Sequence, residues 1–129
     1  MAPFLETLPD IRPLVDQLLG RPYAEVNCFA LLRHLFAAGW GLDLEADPVQ
    51  AAQSVLEYWH ADDPRDLCTL VQPWDILVLR DLHPWGTHVG VVVDTVSYVH
   101  TRPRTGVVLE PIQRWRRWVV QVARLQRLL

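Results

Sequence analysis

The chain has 129 residues, of which 50% are hydrophobic and 21% are charged, and its formal net charge is −3. This length and composition exclude a disordered chain and leave room for one globular domain, so we expect a single domain over residues 1–129. The 12 basic residues are all arginine. Because the overall balance is acidic and no nucleic-acid-binding motif accompanies them, we expect no nucleic-acid partner.

The N-terminus lacks the basic segment and apolar run of a secretory signal peptide. The longest apolar run is far shorter than the ~20 residues that span a membrane. We therefore expect a protein made in the cytoplasm without a signal peptide and without a membrane span, whose transport outward would need another vehicle. The two cysteines, Cys28 and Cys68, lack the spacing of a disulfide-rich secreted scaffold.

Apolar residues at helical spacing predict three helices in the N-terminal half of the chain. Their predicted bounds are residues 10 to 20, with Asp10 as cap; 27 to 39, with Asn27 as cap and Gly39 as C-terminal stop; and 47 to 60, with Asp47-Pro48 at its start. The second helix is the one that carries chemistry, because Cys28 occupies its first turn.

Cys28 shares the apolar face of the second helix with Leu32 and Leu35. The positive end of a helix dipole favours a thiolate at this position, and such surroundings lower the pKa of reactive cysteines from about 8.5 to roughly 3.5–7.5. Two interpretations follow from this stretch: a catalytic nucleophile, or a small apolar residue that fills a contact between helix and sheet.

Short β-branched runs separated by turn signals predict strands from Asp75 onward. They cover residues 76–79, 89–93, 96–99 and 107–109. The last apolar run, from residue 119, is either a strand through Ala123 or a terminal helix, and we favour the strand. Helices followed by antiparallel strands predict an α+β domain, with N-terminal helices packed on one face of an antiparallel sheet.

His88 directly precedes the second of these runs and His100 directly follows the third. A three-residue loop over residues 93 to 95 pairs His88 with His100 and puts both imidazoles on one face. A two-residue loop at Asp94-Thr95 turns them to opposite faces, because the side-chain period of a strand is two. A site built from both histidines therefore requires a loop with an odd number of residues.

Cys28, His88 and His100 fit nucleophilic catalysis. In that scheme Cys28 attacks an acyl carbonyl, His88 is the base and later the acid, and His100 orients His88. The backbone N–H of Cys28 supplies one oxyanion donor. The same three residues would also give zinc three ligands and an open position, but no close-spaced ligand pair supports a zinc site, so we do not expect one.

In these segments the sequence resembles the NlpC-type cell-wall peptidases, which are bacterial papain-like cysteine endopeptidases, and especially their short members in phage tails and gene-transfer particles. The resemblance runs from about residue 18 to 123. It rests on Tyr23…Cys28, Pro73-Trp74-Asp75-Ile76, His88-Val89-Gly90, Tyr98-Val99-His100, Gly106-Val107-Val108-Leu109-Glu110 and Trp115…Trp118. It implies a papain-like fold and a triad of Cys28, His88 and His100 that cleaves peptidoglycan stem peptides, typically next to D-glutamate, without metal or cofactor.

The segments that read substrate depart from that family. Asn27 stands where the family usually has an aspartate, which in some members helps to hold a substrate amine, and Trp74 stands where the family usually has glycine. Tyr23 is either a donor near the oxyanion or a packed loop residue. Arg102 is either a ligand for substrate carboxylates or a solvated turn residue. We treat these four residues as the candidate substrate-binding set.

The predicted function is a cysteine endopeptidase or amidase acting on peptidoglycan. Phage-tail or particle proteins are the expected partners, and the expected location is a virion or particle, or the periplasm and cell wall. Two alternatives stay open: a thioester-forming acyltransferase of the same fold, and a non-catalytic phage-tail or assembly module.

Overall fold

A computed structural model of the protein describes residues 8–42, 56–80 and 88–125. The helices in these ranges are α1 (Arg12–Leu18), α2 (Cys28–Trp40), α3 (Leu67–Leu70) and α4 (Ile112–Trp115), with 3₁₀ turns at Pro64–Asp66 and Arg116–Trp118. The strands are β1 (Leu56–Trp59), β2 (Ile76–Leu79), β3 (His88–Val92), β4 (Ser97–Arg102), β5 (Gly106–Pro111) and β6 (Val119–Leu125). None of the helices in the described ranges is long and apolar enough to cross a membrane.

The strands of the described residues form one sheet in the order β1-β6-β2-β3-β4-β5, and neighbouring strands are antiparallel. The predicted α+β class and the strand at the start of the last apolar run are therefore confirmed. The predicted third helix is wrong over residues 56–59, which pair with β6 from Leu56↔Leu125 to Trp59↔Val122. The rest of that prediction, residues 47–55, lies outside the described residues.

The cap of α2 is the predicted one, whereas its end is not. The side-chain oxygen of Asn27 accepts the N–H of Ala30 at 2.9 Å, which satisfies one of the first amides of the helix. The helix continues past Gly39 to Trp40, and Gly41, at φ 66°, is its left-handed cap. Gly39 lies inside the helix, where a Cβ would come within 2.3 Å of the Trp74 indole, so the packing against Trp74 requires a glycine there.

Both faces of the sheet are covered, by two separate groups of apolar residues. The helix-side cluster joins α1 and α2 to one face and includes Leu31, Leu35, Val89, Val91 and Val99. The far-side cluster covers the other face and includes Leu77, Val92, Tyr98, Ile112 and Val122, with Trp115 and Trp118 packed against it. Because strand residues alternate, His88 and His100 belong to the far side of the sheet.

The β3–β4 hairpin has the predicted parity but not the predicted register. Val91 pairs with Val99 and Val92 with Tyr98, so His88 is not directly opposite His100. The turn lies one residue later than predicted because the Asp94 carboxylate accepts the backbone N–H groups of Val96, at 2.9 Å, and of Ser97, at 2.8 Å. Since the sum of paired positions is still even, the two histidines keep a common face.

The loop that leads to Cys28 is fastened to the edge strand of the sheet. Gly20 donates its N–H to the Val107 carbonyl at 2.9 Å, and Val107 donates to the Arg21 carbonyl at 3.0 Å. Gly106 makes this approach possible, because a Cβ there would lie 2.3 Å from the Arg21 carbonyl oxygen. The loop therefore passes the start of β5, beside the end of β4 that carries His100.

Candidate active site

His88 and His100 form a hydrogen-bonded pair. His88 Nε2 lies 2.7 Å from His100 Nδ1, and the two ring centroids are 5.0 Å apart. His88 is the first residue of β3 and is partly exposed, whereas His100 is fully buried. The structure thus brings together the two histidines that the sequence predicted to share a site, by a diagonal contact across Gly90 rather than by direct pairing.

Aromatic rings enclose the His100 imidazole. The ring of Tyr98 lies 4.7 Å from it and the ring of Trp115 lies 5.6 Å from it, measured between centroids. The guanidinium carbon of Arg102 stands 5.0 Å from the centre of a Trp115 ring. Sequence reasoning missed the contact of Tyr98 and Trp115 with His100, although Tyr98, His100 and Arg102 alternate along one strand and so share a face.

A carboxylate completes the surroundings of His100. Glu110 Oε2 lies 3.6 Å from His100 Nε2, and the indole N–H of Trp115 donates to the same oxygen. Sequence reasoning did not assign this role, because Glu110 directly follows the predicted strand 107–109 and no local pattern links it to His100. Its position follows from the register of β4 and β5, which pairs Glu110 with Tyr98.

The protonation of His100 is controlled by its burial. Burial, followed by the neighbouring His88 and Arg102, lowers the pKa of His100 from 6.5 to about 3. The imidazole is therefore neutral at physiological pH and can accept a hydrogen bond at one nitrogen while it donates at the other. Burial also raises the pKa of Tyr98, so its phenol keeps its proton.

Cys28 is the first residue of α2 and its side chain is 7% exposed. It lies in the helix-side cluster, so the helix and the histidine pair are on different faces of the sheet. The loop before Cys28 runs past the end of the sheet at which β3 begins and β4 ends. No disulfide joins Cys28 to Cys68 in the described part of the chain.

Trp74 lies in the core. Its side chain is 2% exposed and packs edge-on against Phe36 and Trp40, with ring centroids 5.3 and 5.9 Å apart. Its indole N–H donates to the Pro9 carbonyl at 2.8 Å. The indole turns into the core and fills the space left by Gly39, so its burial favours a packing role, and substrate binding by Trp74 stays a prediction.

The other three candidate substrate residues remain predictions. Tyr23 is partly exposed in the loop before α2. Asn27 is exposed, and its side-chain oxygen is engaged in the helix cap. Arg102 is partly buried over Trp115. Within the described ranges, no group of three or more histidine, cysteine or acidic side chains could hold a metal ion.

No protein-family model matches the sequence, and a comparison with curated proteins finds no match. Solved structures do match the fold. The NlpC/p60 domain of the peptidoglycan hydrolase SagA superposes with a TM-score of 0.67 at 17% identity, over 90% of this chain and 97% of that one.

A Staphylococcus aureus Mu50 protein, described as similar to a lipoprotein of the NLP/P60 family, gives a TM-score of 0.68 at 15% identity. The match covers 95% of this chain and 42% of that one. At these identities the likeness shows the fold, so the protein has the papain-like α+β fold of NlpC/p60 domains.

Proposed function

We propose that the protein is a cell-wall hydrolase, a cysteine peptidase or amidase that cleaves amide bonds in peptidoglycan stem peptides. The observation that carries this proposal is the 2.7 Å contact between His88 and His100 on an NlpC/p60-like fold. An imidazole whose second nitrogen is held by another polar side chain is the arrangement that a cysteine nucleophile requires.

We place the meeting of thiol and base at the N-terminal end of β3. His88 opens that strand, Cys28 opens α2, and the loop before Cys28 is bonded to β5 at the same end of the sheet. Because His88 Nε2 faces His100, Nδ1 is the nitrogen that takes the thiol proton. The first turn of α2 stabilises the thiolate that results.

The reaction has two halves. In the first, the Cys28 proton moves to His88, the sulfur bonds to the carbonyl carbon, and the C–N bond breaks as His88 returns the proton to the leaving amine. In the second, His88 takes a proton from water, the hydroxide attacks the thioester, and the C–S bond breaks. The released thiolate recovers the proton from His88, and the product leaves as a carboxylic acid, which loses its proton to the solvent.

The decisive experiment is mass spectrometry of purified peptidoglycan after incubation with the wild-type protein, with Cys28→Ala and with Cys68→Ala. Wild type and Cys68→Ala are expected to release the same new stem-peptide fragments, which identify the bond cleaved, and Cys28→Ala none. Fragments from Cys28→Ala would reject the mechanism. Fragments that appear only when an added amine accepts the acyl group would identify an acyltransferase instead.

The substrate also indicates where the protein acts. Peptidoglycan lies outside the cytoplasmic membrane, so we propose that the protein works in a virion or phage-like particle, or in the periplasm and cell wall. Immunodetection in purified particles and in cell fractions tests this proposal. Recovery from the cytoplasm alone would contradict it and would favour an assembly role.

A further inference from the structure

We propose that Glu110 is a positioning residue of the site, which fixes the tautomer of His100 and through it the tautomer of His88. The catalytic meaning of this inference rests on the proposed function. The tautomer itself does not, since it is a property of the resting protein and can be measured without substrate.

The geometry singles out Glu110. Its Oε2 is 3.6 Å from His100 Nε2, and its side chain is 17% exposed, whereas that of His100 is 0% exposed. The indole N–H of Trp115 donates to the same oxygen and so holds it beside the imidazole. Among the described residues, His100 Nε2 is buried and has no hydrogen-bond partner, so this carboxylate is the acceptor placed to receive it.

The two nitrogens of His100 must play opposite roles, because its imidazole is neutral. If Nε2 carries the proton, it points at a carboxylate, and Nδ1 accepts the N–H of His88. If Nδ1 carries the proton, the lone pair of Nε2 faces a carboxylate oxygen, which is repulsive. Glu110 therefore selects the tautomer of His100 with its proton on Nε2.

The tautomer of His100 determines the tautomer of His88. When His100 Nδ1 is an acceptor, His88 must donate from Nε2, and its Nδ1 then has the lone pair that takes the Cys28 proton. The opposite tautomer of His100 would leave the proton of His88 on Nδ1, where it blocks that step. Glu110 acts only as an acceptor, and no proton is transferred to it.

The distance of 3.6 Å is longer than a direct hydrogen bond. Hydrogen bonds of catalytic groups are often long in unliganded enzymes and shorten when substrate binds. A buried N–H without an acceptor is disfavoured, so the carboxylate biases the tautomer even at this separation. The approach of the Trp115 indole N–H and of His100 Nε2 to one oxygen is the feature that distinguishes Glu110 from a surface glutamate.

The test is ¹⁵N NMR of the histidine side chains in the full-length protein at neutral pH, where the shift of each ring nitrogen reports whether it carries a proton. Wild-type His100 is expected to be protonated at Nε2. Glu110→Gln keeps an acceptor oxygen and should keep this tautomer. Glu110→Met removes the acceptor and should shift the tautomer ratio by at least about fivefold toward Nδ1–H. Asp16→Asn, at an exposed carboxylate paired with Arg12, is the charge-matched control.

Two results would overturn the proposal: a wild-type His100 protonated at Nδ1, or a folded Glu110→Met variant with the wild-type tautomer. The first needs no variant, so misfolding of Glu110→Met leaves the question decidable. In peptidoglycan cleavage, Glu110→Met should lower kcat at least about fivefold with KM within about twofold, and Glu110→Gln should restore most of it. If the wild-type protein cleaves no peptidoglycan, the proposed function fails, but the NMR result still tests whether Glu110 sets the tautomer of His100.

Discussion

Arg124 of the last strand holds both carboxylate oxygens of Asp75, the residue before β2. Its Nε lies 2.9 Å from Oδ1 and its terminal nitrogen 2.8 Å from Oδ2, while the Gln72 N–H donates to Oδ2 at 3.0 Å. Asp75 is 1% exposed. Asp75 is therefore the buried partner of Arg124. The contact ties the turn that carries Trp74 to β6.

Replacing Arg124 by methionine should destabilise the fold in a pH-dependent way. Burial raises the pKa of Asp75 above 3.8, and the hydrogen bonds from Arg124 and Gln72 oppose that rise. Without Arg124 the pKa of Asp75 rises further, so the ionised form costs more in the folded state. We expect a loss of about 3–5 kcal/mol in unfolding free energy at pH 7.

The loss should shrink below about pH 4, because Asp75 is then protonated in both states. Urea unfolding at pH 7 and at pH 3.5 measures the difference. Arg65→Met removes an exposed partner of Asp63 and serves as control, with little effect expected at either pH. An equal loss for Arg124→Met at both pH values would show that lost packing, and not the carboxylate, is responsible.

Cys28 should react with a small thiol-directed electrophile before Cys68 at mildly acidic pH. Exposure alone favours the opposite order, because Cys28 is 7% exposed and Cys68 is partly exposed. A thiol with the ordinary pKa of about 8.5 is almost wholly protonated under these conditions, so rapid labelling requires a stabilised thiolate. Peptide mapping by mass spectrometry gives the order.

His88→Gln is the informative comparison for this labelling. It removes the base and should slow the reaction of Cys28 without changing that of Cys68. Labelling of Cys68 first in the wild type, or equal slow labelling of both cysteines, would indicate that Cys28 is an unreactive thiol in a contact between helix and sheet.

His100 should make the fold sensitive to acid. Its pKa is about 3 in the folded protein because of burial, and 6.5 is its ordinary value. Between these values the unfolded chain binds a proton at His100 and the folded chain does not, so stability falls as pH falls. The slope from this residue is about 1.4 kcal/mol per pH unit in that window.

His100→Asn, which cannot be protonated, should flatten the dependence. Urea unfolding of both proteins at pH 4.5, 5.5 and 6.5 gives the two slopes of unfolding free energy against pH. His88 is present in both proteins. Parallel slopes would mean that His100 is protonated in the folded state.

Sequence reasoning predicted the elements whose signals are local. Asn27 caps α2 because its side chain reaches an amide three residues on, and the β-branched runs became strands. Residues 56–59 became a strand instead of a helix because β6, more than 60 residues later, supplies their partner. Such pairing is a tertiary effect that overrides local periodicity.

The site likewise has features that the local sequence predicts and features that depend on the register of the strands. The common face of His88 and His100 follows from parity alone, whereas the register depends on the Asp94 carboxylate and was mispredicted. Glu110 and Trp115 reach His100 from β5 and from α4, the helix after it, so their role could be predicted only with the register of β5. The two-residue side-chain period of a strand identifies which residues share a face of the sheet, but it does not identify the residues that pack against that face.

Gly90→Ala should damage both stability and activity. A Cβ at this position would lie 2.6 and 2.8 Å from ring atoms of Tyr98 and 2.8 Å from the Val99 carbonyl oxygen. The Tyr98 ring would be displaced, and it stacks on His100. We expect a loss of about 1–3 kcal/mol in unfolding free energy and a lower kcat in peptidoglycan cleavage. Wild-type stability in the variant would show that Tyr98 moves aside without strain.

Trp74→Phe distinguishes a core residue from a substrate-binding one. The substitution removes the indole N–H that donates to Pro9 and leaves space against Gly39, so it should lower the unfolding free energy by about 1–3 kcal/mol. KM for peptidoglycan fragments should stay at its wild-type value, because the 2% exposed side chain offers substrate no surface.

Trp74 has φ 78°, where a side chain is strained. Trp74→Gly relieves that strain but loses the whole indole, and it should be less stable than Trp74→Phe. A raised KM with unchanged stability in Trp74→Phe would show that Trp74 binds substrate and is not needed for packing.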